Sequence, residues 1–525
     1  MLQGSYCHFL LQTCRNLKQL KQIHAQALTQ GLHHLQNLSC KIFNTYTKFN
    51  KPIEAYNVFN QIQNPDIISW TCLISLHLNT ERPFQALLVF SKLCSLGLKP
   101  DSFSVVGALA GCGRSESLGH GKAVHGMIYR HGLVDSGAIV GNALIDMYSR
   151  NGEIKVAQMV FREMGIKDVV TWTSLIHGFV KCDDLNSARV LFDKMPERNS
   201  VSWTALITGY VQGGKPAEAL DIFQKMMSDG NDRPISVTMV AVLSGCADIG
   251  ALDLGRLIHA YVNKTYLSLD VTVKNALMDM YCKSGSLESA ERIFGEISTK
   301  DNFSWTTMIL GFAVHGSGKR ALQIFSEMLE AGAYPNEVTF VAVLSACSHA
   351  GLVDEGQKWF NCILETYHLE PKIEHYGCMV GLLGRAGLVK EAKDLIEKMK
   401  VPPDGVIWRS LLSSCIACKN LEVAALAAQK VVELEPDDDG VYVLLWNMYC
   451  SANRWDDAIK MRRMMKDRSI KKKPGRSCIQ INGVVNEFLA EGKAGNFGTE
   501  TQMVLERMAE VMKVDNSYLI DIEFD

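Results

Sequence analysis

Apolar residues return at helical spacing through most of the chain, in pairs of short stripes separated by a polar turn. In residues 67–101 the first stripe is Trp70, Leu73, Ile74 and His77, and the second is Ala86, Val89, Phe90 and Leu93. Spacing of i, i+3, i+4, i+7 is the mark of an amphipathic helix. Gly97 supplies a C-terminal stop to the second helix, and Pro100 blocks its continuation. The pattern predicts a helical hairpin. A hairpin this small cannot bury both stripes alone, so its neighbours must stack on it.

Those neighbours are copies. Trp70, Trp172, Trp203 and Trp305 sit in ISWTCLI, VTWTSLI, VSWTALI and FSWTTMI; the first pair and the last pair are each 102 residues apart. Trp408 follows Trp305 after 103 residues, and Tyr148 follows Tyr46 after 102. The superperiod divides into three related units, 67–101, 102–137 and 138–168. It returns as 200–235, 236–270 and 271–301, and again as 302–336, 337–372 and 373–404. One further short unit, 169–199, separates the first two triplets; 36–66 is another, preceded by a truncated long one. Such periods predict a stacked array in which the first helices line one wall, where any repeated residue type forms a ladder.

Composition agrees with helices. Hydrophobic residues make up 47% of the 525, and only 13 are proline. The longest apolar runs reach about a dozen residues, short of the 18 or so that a membrane span needs, so no membrane partner is expected. The net charge of −2 argues against a partner held by bulk positive charge, such as duplex DNA. Cys14, Cys112, Cys246 and Cys347 each follow a leucine by three residues, a fixed place in a helical pattern that predicts small buried hydrophobes in a reducing compartment. No Asp or Glu precedes Glu54, and this acid-poor beginning is of the kind found in organelle transit peptides. The repeat pattern begins near Ser5, however, which leaves little room for a cleaved presequence.

The unit lengths of 31, 35 and 36, together with WTALITGY, NALIDMYSRNG, SGCADIGALDLGRLIHAYV and EHYGCMVGLLGRAG, resemble the plant pentatricopeptide repeat (PPR) family. More narrowly, they resemble its PLS subfamily of alternating short and long repeats, whose members act in organellar RNA editing. The resemblance implies an all-α fold, a right-handed α-solenoid superhelix of stacked helix-turn-helix repeats over 1–404. Residues 405–438 and 439–475 are similar to the two E/E+ extension motifs of that subfamily, and both read as helical hairpins. The stretch 475–493 resembles the following element, with a β-hairpin turning at Asn482-Gly483 and with Cys478 where the family usually has Trp. Residues 476–525 read as a C-terminal extension that stops before any DYW deaminase domain.

In that family the fifth and the last residues of a unit read one base, while the second packs against it. Carried over, the pairs are Thr71 with Asp101, Asn142 with Asp168, Thr173 with Asn199, Asn275 with Asp301 and Thr306 with Asn336. Family preferences imply G, U, A, U and A, so the string over 67–336 is G-x-U-A-x-x-U-A. An ionised Asp only accepts, which suits the ring N–H of G or U; Asn can donate, which suits the ring nitrogen of A or C. Thr204 pairs with Ile235, which cannot hydrogen bond, so that unit should discriminate poorly. Cys40 with Asp66 and Gly377 with Asp404 depart from the code, and Val106, Val240 and Val341 make the long units spacers. The competing reading of every such residue is a helix cap or a solvated groove.

Charge is concentrated near the end. Residues 460–476 hold nine Lys/Arg and one acid, whereas 477–525 hold nine acids and three basic residues. The basic run can bind phosphate or a partner protein, or simply be a solvated surface. A zinc deaminase needs H-x-E and C-x-x-C. His368-Leu369-Glu370 and Cys415-Ile416-Ala417-Cys418 match by letter, but Cys415 falls within a packing pattern, WRSLLSSC, and no Pro precedes it. The expectation is therefore a non-catalytic specificity factor with no cofactor and no metal. It would bind single-stranded organellar RNA, in the mitochondrion rather than the chloroplast, and present a cytidine to a DYW-type deaminase recruited in trans through residues 405–515. A splicing, stability or processing factor and a helical protein-binding scaffold are the alternatives.

Overall fold

A computed structural model of the protein describes residues 10–468 and 476–489, save 12, 33–34, 50, 134–136, 419, 437–438 and 482–483. The chain forms two compact units, Met1–Pro234 and Ile235–Asp525, and each is described by itself. Both are built of helical hairpins packed in sequence order. The fold is an all-α repeat solenoid, with 27 α-helices among the described residues. Among the described residues, no helix is long and apolar enough to cross a membrane.

The units expected to begin at residues 67, 102, 138, 169, 200, 236, 271, 302, 337, 373 and 405 all open on the first residue of a helix. These first helices hold 13 or 14 residues whatever the length of their unit. The difference in unit length falls on the second helices. In short units they hold 9 or 10 residues, as in Ile154–Glu163 and Leu185–Asp193; in long units they hold 12 to 14, as in Pro83–Ser95 and Pro216–Asp229. The change amounts to about one helical turn.

Local chemistry starts and stops each helix. Pro83 and Pro216 stand in the first turn, where a missing N–H costs nothing. Gly97, at φ 73°, ends the helix Pro83–Ser95 as the sequence predicts. The inner stripe of Ile67–Asn79 is wider than its spacing predicts, for Leu76 and Leu78 are buried along with Trp70, Leu73 and Ile74. The physical reason is that first helices pack against one another as well as against their own second helices. Glycine permits the close approach. A Cβ on Gly209 would lie 2.4 Å from Cγ2 of Val180 in the first helix of the preceding unit.

Aromatic contacts tie successive hairpins. Trp70, Trp172 and Trp203 meet Phe59, Phe161 and Phe192 of the preceding second helix edge-to-face, with centroids 4.7–4.9 Å apart, and in the other compact unit Trp305 meets Phe294 at 5.1 Å. A second device joins long units to the short units that follow. Nδ1 of His125 lies 2.8 Å from the Tyr148 hydroxyl, and Nδ1 of His259 lies 2.9 Å from that of Tyr281. In the third triplet Phe360 and Leu383 replace both partners, so the histidine and the tyrosine are lost together.

Cys112, Cys246 and Cys347 are fully buried, and burial pushes their thiols up to about 11, about 12 and about 12. Cys14 differs: it is half-buried and lies just past the first helical turns. Among the described residues, every cysteine from Cys14 to Cys450 is a free thiol. Towards the C-terminus, Gly405–Ala417 and Leu421–Leu434 form one hairpin and Asp439–Ser451 and Trp455–Asp467 another. Strands Arg476–Ile481 and Val484–Leu489 then pair antiparallel, with Ile481 opposite Val484. That register puts their connection at residues 482–483, where the sequence predicts the turn; those two lie outside the described residues.

Candidate nucleic-acid interface

The last residue of a unit is also the N-cap of the next first helix. A side-chain oxygen of Asp66, Asp101, Asp168, Asn199, Asp301, Asn336 and Asp404 accepts the backbone N–H three residues on, at 2.7–3.0 Å. Each such cap is worth about 1 kcal/mol. The capping role weighed in the sequence is thus present, and it determines what the residue can show a ligand. An Asp cap spends one oxygen on the helix and keeps a second acceptor. An Asn cap must turn its oxygen to the N–H, leaving its NH2 as a donor. Capping and base reading are compatible.

Fifth residues lie in the first turns of the same helices. Nδ2 of Asn142 donates to Oδ1 of Asp168, and Nδ2 of Asn275 to Oδ1 of Asp301, each at 3.3 Å. The structure thereby brings together two of the five pairs directly. Thr306 reaches Asn336 through Thr339, whose hydroxyl lies 3.0 Å from that of Thr306 and 2.9 Å from Oδ1 of Asn336. Thr71 and Thr173 instead turn their hydroxyls back to the carbonyls of Ile67 and Val169. Thr204 does the same to Ser200, while Ile235, in the other compact unit, precedes its helix without a polar cap. Cys40 sits beside Asp66, Gly377 offers no side chain, and Val106, Val240 and Val341 are half-buried.

Electrostatics favour the ionised form of two caps, Asp168 and Asp301. Burial works to raise the Asp168 carboxyl, but hydrogen bonds from Thr171 and Asn142 outweigh it and hold the group below its usual value. Asp301 behaves alike, with Ser304 and Asn275 as donors. Both remain acceptors at neutral pH.

Three features extend what the sequence predicts, the first at a position that the family resemblance already sets against the base. Second-position residues form an exposed apolar ladder: Ile68, Phe103, Ile139, Val170 and Val201 in one compact unit, and Val237, Phe303, Val338 and Val406 in the other, are all 54–68% exposed. Isolated exposed apolar residues are ordinary, but recurrence at one register marks a contact surface. Its signal was legible as an apolar letter at the second position. The other two are the histidine–tyrosine bonds and the buried third-position hydroxyls, Ser104, Thr171, Ser202, Ser304 and Thr339 among them.

The zinc-like letters do not converge. Cys415 is buried in the core of its hairpin, which pushes its thiol up to about 11, while Cys418 is exposed. No group of three or more His, Cys, Asp or Glu is placed to hold a metal among the described residues. Of the basic run, Lys460, Arg462, Arg463, Lys466 and Arg468 are exposed, with Arg462 stacked over Trp446 at 5.3 Å; residues 469–475 lie outside the described residues.

Comparison with known proteins identifies repeats and an extension along the chain. The PPR repeat model matches residues 142–169, 170–200, 201–231, 273–301, 338–365 and 374–401, and the PPR repeat family model matches 300–349. The E motif model matches 418–480. A pentatricopeptide repeat-containing protein of Arabidopsis thaliana, named mitochondrial, is 40% identical over 475 residues, which cover 90% of this chain and 69% of that protein. A second from the same plant, named chloroplastic, is 38% identical over 418 residues, covering 79% of this chain and about half, 52%, of that protein. The crystal structure of the pentatricopeptide repeat protein PPR10 from maize aligns over 90% of this chain and 74% of its own, with 18% identity and a TM-score of 0.48. With a relative 40% identical that this chain covers to 69%, and with PPR repeat and E motif models matching along it, the chain belongs to the pentatricopeptide repeat family.

Proposed function

We propose that the chain binds single-stranded RNA of an organelle and serves as the site-recognition factor for C-to-U editing, with a DYW-type deaminase recruited in trans. The carrying observation is the joining of fifth and last residues in units 138–168 and 271–301, where the Asn amide meets the capping carboxylate. A ladder built this way offers each base a short row of donors and acceptors, while the exposed second residues offer it an apolar face. Thr71 with Asp101, Asn142 with Asp168, Thr173 with Asn199, Asn275 with Asp301 and Thr306 with Asn336 read G, U, A, U and A, and Thr204 reads weakly. Specificity then rests on base edges more than on bulk charge, consistent with a net charge of −2.

Residues 1–404 form the reading array, 405–475 the extension hairpins and 476–525 the terminal extension; the match of the E motif model to 418–480 supports the last two as a distinct part. Residues 405–515 contact the deaminase, and the basic residues of Trp455–Asp467 lie near the target nucleotide's phosphates. The site of action is an organelle, as the names of the relatives suggest, and by our reading the mitochondrion. Sequencing organellar transcripts from plants lacking the protein tests this. One cytidine or a few, each just downstream of the string G-x-U-A-x-x-U-A, should remain unconverted. Normal editing at every cytidine overturns the editing role and leaves splicing or stability to be read from the same transcripts.

A further inference from the structure

The unit 302–336 carries its polar groups in a chain that runs into the next unit. Thr339, third residue of the unit 337–372, is fully buried, and Thr306 is 8% exposed. The backbone N–H of Asn336 donates to Oγ1 of Thr339 at 3.3 Å, and Oγ1 of Thr339 lies 2.9 Å from Oδ1 of Asn336. That Oδ1 also accepts the backbone N–H of Thr339 at 3.0 Å, so the amide of Asn336 is oriented with its oxygen inward. Thr339 has one hydroxyl proton, and Oδ1 of Asn336 takes it. Its remaining lone pair then accepts from Thr306, 3.0 Å away. Every proton in the chain has one place to go. Asn336 is left presenting an NH2 donor and Thr306 an oxygen lone pair.

We propose that Thr339 is a positioning residue: it sets the donor and acceptor with which Thr306 and Asn336, in the unit before it, meet the Watson–Crick edge of adenine. Adenine shows there a ring nitrogen acceptor beside an amino donor, the complement of that pattern. A guanine reverses both partners and meets two mismatches. The base read by one repeat is therefore decided partly by a side chain that belongs to the next. Ser304 holds the same place one unit earlier. Its hydroxyl lies 2.8 Å from Oδ1 of Asn275 and 2.8 Å from Oδ1 of Asp301. In unit 138–168, by contrast, Thr171 bonds only to Asp168, and the buried Oδ1 of Asn142 has no partner.

The inference rests on the RNA-reading function proposed above. It is tested with the full chain and a set of RNA oligonucleotides carrying G-x-U-A-x-x-U-A, with each of the four bases in turn at the last A and, separately, at the U before it. The wild-type protein should prefer A at that last position. Thr339→Val keeps the shape of the side chain and removes the relay. It should reduce the preference for A over G by about tenfold, the worth of one oriented hydrogen bond, and leave the preference for U unchanged. Thr339→Ser should restore it. Ser304→Ala, a smaller change in another unit, should relax the preference for U and spare that for A, and it decides the matter independently if Thr339→Val loses helix content. Unchanged selectivity in a folded Thr339→Val protein, with wild-type selectivity intact, overturns the positioning role alone. No base preference in the wild-type protein overturns the reading function itself.

Discussion

Nδ2 of Asn275 donates to Oδ1 of Asp301 across 3.3 Å, joining the fifth and the last residues of one repeat. The same carboxylate oxygen accepts the backbone N–H of Ser304 at 2.7 Å, so a single atom serves the helix cap and the bond to the fifth residue. Burial tends to raise this carboxyl, but the bonds from Ser304 and Asn275 prevail and its folded-state value falls below 3.8. A depressed acid contributes stability that is present above its unfolded value and lost as pH falls through the folded one. Asp301→Ala should therefore cost about 1 kcal/mol at neutral pH and progressively less as pH drops below 3.8. Thermal melts followed by helical circular dichroism check this; an equal cost at both ends of the range contradicts the cap.

Thr71→Asn should move the first resolved position of the RNA from G toward U, because Asp101 keeps its acceptor while the fifth residue changes to that of the Asn–Asp units. Selection from a randomised RNA library reads the change directly. No change at that position counts against the register that places Thr71 and Asp101 together.

Glycines in the array should divide by what surrounds them. Gly209→Ala forces a Cβ to within 2.4 Å of Val180 and should destabilise the protein by about 1–3 kcal/mol. Gly126 lies within the helix Leu118–Arg130 with nothing within 4 Å of an added Cβ. Gly126→Ala should stabilise it by about 0.5–1 kcal/mol. Urea denaturation of the two variants beside the wild type gives opposite signs if the packing is as described.

Burial lowers the ring pKa of His24, His77, His125, His177, His259 and His375 below 6.5. Stability from such groups is present above 6.5 and is lost as pH falls, because the unfolded chain takes the proton first. The melting temperature should drop steadily on acidification from about pH 7.5 to about pH 5.5, and His259→Phe should reduce the slope.

The third triplet shows how the pair around His259 can be replaced. Tyr281→Leu alone leaves the His259 nitrogen without its 2.9 Å partner. Adding His259→Phe, the combination that Phe360 and Leu383 already form, should recover much of the loss. A double-mutant cycle on melting temperature measures the recovery; additive losses contradict the coupling.

Much of this organisation was legible in the letters because repetition multiplies a weak signal. One tryptophan four residues into a hairpin says little, but Trp70, Trp172, Trp203 and Trp305 at matching intervals set the helix starts to the residue. The hydroxyl of Thr339 was invisible for the opposite reason. Its importance lies in a contact with Thr306, 33 residues earlier, and no pattern of periodicity says which of two hydroxyls donates. The breadth of burial in Ile67–Asn79 was missed on the same ground, since a stripe records one neighbour and the helix has four.

The confinement of length change to the second helices has a consequence for how such an array can vary. A repeat can gain or lose one turn of its second helix while its first helix keeps 13 or 14 residues, so exchanging a 31-residue unit for one of 35 leaves the fifth residue at the same step from its helix start and the last residue at the cap of the next helix. Unit length and helix register vary separately. Whole units can be duplicated or traded without putting the capped starts of the remaining first helices out of phase.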